Sequence, residues 1–191
     1  MLYIFTGNGK GKTTSALGAA ARAVGEGKRV LMVQFIKGPW KSGEDDIEIK
    51  GKGEFKLVKM GKGFVGILGD TLPRKEHEKA AEEALHYAKK ETESGNWDIL
   101  ILDEVNNAVA LNLISKKTVL ELIDFIKGAE ANDRTSGVEI SSTKRSNIEH
   151  TILTGRDAPK EFIDRADLVT EMKDIKHPYE KGMKGKRGLE Y

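Results

Sequence analysis

The chain has 191 residues, 32 of them Lys or Arg and 30 Asp or Glu, with a formal net charge of +2. That length suits one α/β domain with a real core, and the near balance of charge argues against a nucleic-acid partner. No cysteine is present, which excludes disulfides, thiolate zinc sites and a Cys nucleophile. No signal peptide or apolar span stands out, so a soluble, cytoplasmic protein with no membrane partner is expected.

Residues 2–5 (Leu-Tyr-Ile-Phe) read as a first strand. Thr6-Gly7-Asn8-Gly9-Lys10-Gly11-Lys12-Thr13-Thr14 follows, and an Ala-rich helix is expected over 14–24, closed by Gly25. A glycine-rich loop between a strand and a helix is the context of a phosphate-binding loop. Gly7, Gly9 and Gly11 let the backbone turn tightly and bring its N–H groups onto phosphate oxygens. The helix N-terminus adds partial positive charge at the same place. Lys12 would neutralise phosphate charge, and the Thr13 hydroxyl would ligate Mg²⁺. The bland alternative is a glycine-rich surface turn. The common pattern G-x-x-x-x-G-K-[ST] places its first Gly at position 6, which is Thr6 here, with the Gly one place later at Gly7. The turn is therefore tighter, which points to a variant nucleotide-binding family.

The remaining elements alternate, so a mostly parallel sheet with helices on both faces is expected. Residues 29–36 (RVLMVQFI) are a near-continuous apolar run fit for a strand covered on both sides. Residues 37–53 are polar and Gly-rich, a loop with a short helix at the acidic stretch, and 55–59 is a third strand. The loop 61–73 carries apolar Phe64, Val65, Ile67 and Leu68. A helix over 74–94 places Ala80, Ala81, Ala84, Leu85 and Ala88 at helical spacing. A fourth strand covers 97–102, and a helical region covers 105–127 with a break near 112–115. A fifth strand is expected at 151–153, a short helix over 158–165 with Pro159 in its first turn, and a last strand at 168–175. The polar stretch 128–147, whose large apolars are Val138 and Ile140, reads as a flexible insertion or an edge hairpin. The basic residues Lys181, Lys184, Lys186 and Arg187 read as a solvated tail. The whole forms a single domain over 1–191 of RecA-like, P-loop character.

Ile99-Leu100-Ile101-Leu102-Asp103-Glu104 supplies the second half of the expected nucleotide site. Four apolar residues bury the strand, and acids at its C-terminal end reach toward a Mg²⁺ held by phosphates and one or two carboxylates. Asp103 or Glu104 can supply one ligand and Thr13 another. A plain strand end with exposed acids is the alternative.

The longer strings narrow the class. Residues 7–14 (GNGKGKTT), Ala20-Ala21-Arg22-Ala23-Val24-Gly25 and Val33-Gln34-Phe35-Ile36-Lys37-Gly38 resemble the ATP:corrinoid adenosyltransferases of the P-loop type. Gly63-Phe64, Leu102-Asp103-Glu104, Leu153-Thr154-Gly155-Arg156, Ala166-Asp167-Leu168-Val169-Thr170-Glu171-Met172 and Lys176-His177-Pro178 follow in the same order. The last residues, Lys186-Arg187-Gly188-Leu189-Glu190-Tyr191, are a family-like ending. Only 128–147 falls outside the resemblance.

The resemblance implies transfer of the 5′-deoxyadenosyl group of ATP to the Co(I) of cobalamin or cobinamide, with release of tripolyphosphate. It implies an ATP lying reversed relative to most P-loop enzymes, which fits the shifted first Gly. Such a site must stabilise a multiply charged leaving group, and the backbone N–H groups of residues 8–14, with Lys10, Lys12, Thr13 and Mg²⁺ (or Mn²⁺ in its place), suit that task. ATP-binding residues are expected at Gly7, Asn8, Gly9, Lys10, Gly11, Lys12, Thr13 and Thr14. Arg22 and Arg156 are further candidates, each with an ordinary ion pair as the alternative (Glu26 in the case of Arg22). Phe64 is expected against the corrinoid, where an apolar side chain favours four-coordinate cobalt, and plain loop packing is the alternative. Some relatives carry a Trp two residues after this Phe, where this chain has Gly66. His177 is a loop residue or a corrinoid contact. A homodimer and a reductase or flavodoxin-like electron donor are implied too. Some relatives have an N-terminal extension over the active site, and this sequence opens at its first strand.

Two other classes stay open at this stage. A small kinase acting on an alcohol or nucleotide would use Asp103 or Glu104 as base. A non-catalytic nucleotide-dependent switch or corrinoid carrier would order the loop 61–73 without turnover.

Overall fold

The computed structural model describes residues 1–67, 69–135, 146–176 and 188, with backbone alone over 129–135. In chain order the elements are β1 (Leu2–Thr6), α1 (Lys12–Gly25), β2 (Arg29–Gln34), a 3₁₀ turn (Gly43–Asp46), β3 (Glu54–Lys59), α2 (Arg74–Ser94), β4 (Ile99–Asp103), α3 (Val105–Ala110), α4 (Lys116–Thr135), β5 (His150–Thr154), α5 (Lys160–Arg165) and β6 (Leu168–Glu171). Leu68, Val138, Ile140, His177, Lys181, Lys184, Lys186 and Arg187 lie outside the described residues, so the expectations resting on them stay with the sequence.

The strands form one six-stranded sheet in the order β3-β2-β4-β5-β1-β6. Every neighbouring pair is parallel. Parallel neighbours require crossover connections, and the alternation of strand and helix supplies them. The expected α/β class with helices on both faces is what forms, and β5 lies between β1 and β4, consistent with a P-loop-type sheet.

Strand periodicity divides the core into two layers. In β2, Val30 and Met32 face one layer while Leu31 and Val33 face the other, and in β4 Ile99 and Ile101 oppose Leu100 and Leu102. Helix α1 covers the first layer with Ala16, Ala20 and Val24, spaced four apart on one stripe. Helix α2 packs Ala81, Ala84 and Ala88 on the second, joined by Val119, Leu122 and Ile123 of α4. The small alanines let both long helices approach the sheet closely. Helix α5 is six residues long and is pinned by Phe162, which is fully buried. Truncating a buried Phe of this kind to Ala costs about 3–5 kcal/mol.

Several boundaries differ from the sequence reading for physical reasons. Helix α1 starts at Lys12, two residues before the expected Thr14, because Gly11 takes the left-handed N-cap conformation (φ 112°). It ends at Gly25, the glycine expected to close it. Gly27, at φ 89°, makes the left-handed turn, and the Gly27 and Lys28 N–H groups bond back to Val24 and Ala23. Strand β2 ends at Gln34, short of residue 36, and β4 begins at Ile99, not 97, although the Asp98 N–H already donates to the Arg29 carbonyl at 2.9 Å while its carboxylate accepts the Arg29 N–H at 2.8 Å. Strand β6 stops at Glu171, short of 175, since its partner β1 ends opposite it at Thr6. Pro159 precedes α5 as its N-cap and does not lie in the first turn. The first part of 128–147 continues α4 to Thr135 instead of leaving the helix, in keeping with the helix-forming Ala129, Glu130 and Ala131.

Candidate functional site

The C-terminal ends of β1, β2, β4 and β5 converge on one edge of the sheet, the position where ligands bind in open parallel sheets. A cavity of about 880 Å³ opens there, lined by residues that follow each of those strands. The loop after β1 forms one wall. Gly7 turns the chain at φ 95°, while Thr6 stays in β1, paired with Glu171. That division explains the shifted first glycine: the left-handed residue falls one place later because the strand runs one place longer.

The loop is packed against the chain that leaves β6. A Cβ on Gly7 would lie 2.4 Å from the Met172 carbonyl oxygen, and one on Gly9 would lie 2.7 Å from the Lys173 backbone. The Gly9 N–H donates to the Met172 carbonyl at 2.7 Å, and the Met172 N–H to that of Thr6 at 2.8 Å. Residues 172–173 thus buttress the loop from below. No side chain caps α1, so its first-turn N–H donors are left for a ligand, at the positive end of the helix dipole. The Lys12 ammonium folds back onto the Gly9 carbonyl at 2.7 Å. Burial, helped by the neighbouring Arg156 charge, holds it below the ordinary lysine range.

Asp103 lies beneath the cavity floor, fully buried. Its Oδ1 accepts from Thr13 at 2.9 Å and from Thr154 at 2.6 Å, and its Oδ2 accepts from Gln34 Nε2 at 3.0 Å. Thr154 also accepts the Glu104 N–H at 2.9 Å. Glu104 adopts a left-handed backbone (φ 62°), unusual for a side chain of its size. Its side chain lines the cavity. Its Oε2 is buried and without a hydrogen-bond partner. Burial, reinforced by the Asp103 charge, pushes its carboxyl up to about 7. Sequence left Asp103 and Glu104 as equivalent candidates. In the structure, Asp103 orients Thr13, and Glu104 presents the carboxylate to the cavity.

Lys37 and Arg156 add cationic groups to the lining. Lys37 is ion-paired to Glu44, a buried carboxylate that also lies 3.4 Å from Gln34 Nε2. Arg156 follows Gly155, whose φ of 129° and close approach to Asn107 leave no room for a side chain. The Arg156 N–H is fixed by Asn107 Oδ1 at 2.9 Å.

The cavity lining also carries apolar side chains, Ile47, Phe64, Val65, Ile67 and Leu111. Asp70 ties this loop down: it accepts the N–H groups of Gly66 at 2.8 Å and Leu72 at 3.0 Å and meets His77 Nε2 at 3.1 Å. Those backbone donors hold its carboxyl below the usual carboxylate range.

Of the residues singled out from sequence, Lys10, Gly11, Lys12, Thr13 and Thr14 line the cavity together with Glu104, Arg156 and Phe64. Gly7, Asn8 and Gly9 form the loop leading into it, and Asn8 is exposed. Arg22 is not brought in. It sits exposed in the last turn of α1, about 15 Å along the axis from Lys12 at 1.5 Å per residue. Gln34, Lys37, Glu44 and Thr154 carry no motif chemistry of their own. The strings containing Gln34, Lys37 and Thr154 signalled their neighbourhood, and nothing in the sequence signalled Glu44. Among the described residues no group of three or more His, Cys, Asp or Glu is arranged to hold a metal ion, and no helix is long and apolar enough to cross a membrane.

Comparison with known proteins agrees with this geometry. The family model for ATP:corrinoid adenosyltransferase BtuR/CobO/CobP matches residues 1–132 and 135–191. The corrinoid adenosyltransferase of Escherichia coli K12 is 33% identical over 191 residues, all of this chain and 85% of that protein. Corrinoid adenosyltransferase CobA of Salmonella typhimurium is 32% identical, over all of this chain and 85% of that protein. The corrinoid adenosyltransferase of Pseudomonas aeruginosa is 34% identical, over all of this chain and 83% of that protein. These names do not favour the kinase and switch readings. The chain belongs to the ATP:corrinoid adenosyltransferase family.

Proposed function

We propose that this protein transfers the 5′-deoxyadenosyl group of ATP to the Co(I) of a corrinoid, cobalamin or cobinamide, and releases tripolyphosphate. The observation that carries this reading is one cavity lined both by cationic groups, Lys12, Lys37 and Arg156, and by apolar side chains, Phe64, Val65 and Ile67. A phosphate chain suits the first and a macrocycle face the second.

The reaction forms a cobalt–carbon bond at C5′ as the C5′–oxygen bond to the triphosphate breaks, and the oxygen keeps the electron pair. The nucleophile has no proton to lose, so no general base is required. The chain's task is to align the two substrates and to stabilise the leaving group's charge. Lys12, Lys10 and the N–H groups of Gly11, Thr13 and Thr14 would serve the second, together with Arg156 and Lys37, which share the cavity lining. Phe64 serves the first, from the corrinoid side.

Mg²⁺ fits the residues present. Glu104 offers a buried oxygen with no partner at the cavity, and Thr13 lies beside it with its hydroxyl oriented by Asp103. Hard oxygen donors of this kind, shared with substrate phosphates, are what Mg²⁺ takes. Thr13 and Glu104 would hold it, with Asp103 behind Thr13, and it would supply charge neutralisation at the phosphates. The family resemblance further supports a cytoplasmic homodimer served by a reductase or flavodoxin-like electron donor.

The phosphate product tests the assignment. Tripolyphosphate formed in step with corrinoid consumption supports it, and ADP formed in its place contradicts it.

A further inference from the structure

Trp40 is a large aromatic left 60% exposed, and it stands against another, Phe64, left 48% exposed. Their ring centroids are 5.8 Å apart and the planes are inclined by 34°, a favourable geometry for two aromatic rings. The seat under Trp40 is cut by glycine. A Cβ on Gly63 (φ 103°) would lie 2.5 Å from the indole, and one on Gly38 would lie 2.8 Å from it and 2.5 Å from the Gly63 Cα. No side chain fits at either position without moving Trp40.

The two segments are anchored separately. Lys59 of β3 donates to the Trp40 carbonyl at 3.0 Å, to Ser42 Oγ at 3.1 Å and to Asp45 Oδ2 at 2.6 Å. Asp70 holds the Phe64 segment through the Gly66 and Leu72 N–H groups. Neither anchor reaches the Phe64 ring, and the Trp40 indole does.

Size places these rings at the point where the second substrate arrives. A cavity of about 880 Å³ is of the order that holds one ligand of nucleotide size. A corrin macrocycle binding on top of ATP must therefore meet the rim, where Phe64, Ile67 and Ile47 are half-exposed.

We propose that Trp40 is a positioning residue for the corrinoid, packing behind Phe64 and holding its ring upright at the cavity mouth. This rests on the adenosyl-transfer reading and adds a residue to it. In such an arrangement the position two residues after Phe64 need not be aromatic. Gly66 there is left-handed at φ 70° and has open space around its Cα, while the supporting ring comes from another segment.

The experiment compares wild type, Trp40→Ala, Trp40→Phe, Phe64→Ala and the Trp40→Ala/Phe64→Ala double variant under anaerobic conditions, with KM taken for cob(I)alamin and for ATP. Loss of the aromatic pair predicts a corrinoid KM raised roughly two- to tenfold in Trp40→Ala, with the ATP KM unchanged and most of the loss restored in Trp40→Phe. Because Trp40 acts through Phe64, Trp40→Ala adds nothing in the Phe64→Ala background. An unchanged corrinoid KM in Trp40→Ala, an ATP KM that rises in parallel, or additive losses in the double variant would each overturn the proposal. A wild-type protein that makes no adenosylcobalamin overturns the adenosyl-transfer reading as well, whereas an active wild type with an indifferent Trp40 overturns this inference alone.

Discussion

The Thr13 hydroxyl, in the first turn of α1, donates to Asp103 Oδ1 at the end of β4 across 2.9 Å, joining residues ninety apart in sequence. Thr154 of β5 closes on the same oxygen at 2.6 Å. Three strand ends and one helix start are thereby locked around a single buried carboxylate. That lock fixes the direction of Thr13 and of the Glu104 backbone, both of which line the cavity.

Thr154→Val removes the hydroxyl and leaves the fold's apolar contacts in place. Supporting residues one layer behind a metal site typically change affinity by 10–100-fold. The Mg²⁺ concentration giving half-maximal rate is therefore expected to rise roughly tenfold or more. A titration of activity against Mg²⁺ at saturating ATP checks this, and an unchanged midpoint would contradict the role given to Asp103.

Lys12→Ala is expected to lower the turnover rate by on the order of 10²–10³, the scale on which removing one preorganised donor to a developing anion is felt. Thermal stability should hold or rise slightly, because burial disfavours the Lys12 charge in the empty site. Steady-state kinetics and a melting curve on the same preparation separate the two effects.

Two glycines test the reading of the loop in opposite directions. Gly18 lies in α1 with nothing within 4 Å of an added Cβ, so Gly18→Ala should stabilise by about 0.5–1 kcal/mol. Gly7 combines φ 95° with a Cβ that would lie 2.4 Å from the Met172 oxygen. Gly7→Ala should destabilise by more than the roughly 1–2 kcal/mol of left-handed strain alone and should abolish ATP-dependent activity. Denaturant unfolding of both variants measures the contrast.

Asp98 supplies a pH-dependent contribution to stability. Hydrogen bonds from the Arg29 guanidinium, and then from the Arg29 backbone N–H, hold its carboxyl below the ordinary value of 3.8. A depressed carboxylate stabilises the fold at every pH above its unfolded value, and that stability is lost as pH falls through the folded value. The Arg29 side chain is 40% exposed, so solvent screening limits the effect to about 1 kcal/mol. Asp98→Asn should lower Tm by about 2–4 °C at pH 7, and the gap from wild type should close below pH 3.8.

How much of this was legible in the sequence depends on the range of the interaction. Helix α2 was readable to the residue, because its alanine spacing and the closing Gly95 are local signals. The loop Gly7–Gly11 and the acids after β4 were readable because their chemistry sits in short strings. The end of α1 was readable from Gly25, while the left-handed turn that follows it, at Gly27, was not. Arg22 looked like a phosphate ligand by string alone, yet helix geometry carries it to the other end of α1. The Lys37–Glu44 pair, the Gln34 and Thr154 bonds to Asp103 and the Trp40–Phe64 contact were hidden. The bonds to Asp103 and the aromatic contact join segments that only the folded sheet brings together, and the Lys37–Glu44 pair, seven residues apart, depends on the turn between them.

The central claim is adenosyl transfer, and one measurement addresses it most directly. Anaerobic incubation with ATP, Mg²⁺ and chemically reduced cob(I)alamin is followed by absorbance and then by exposure to light. The account predicts a light-sensitive adenosylcobalamin spectrum, formed by wild type and lost in Lys12→Ala. A corrinoid that stays unalkylated while ATP is consumed would contradict it.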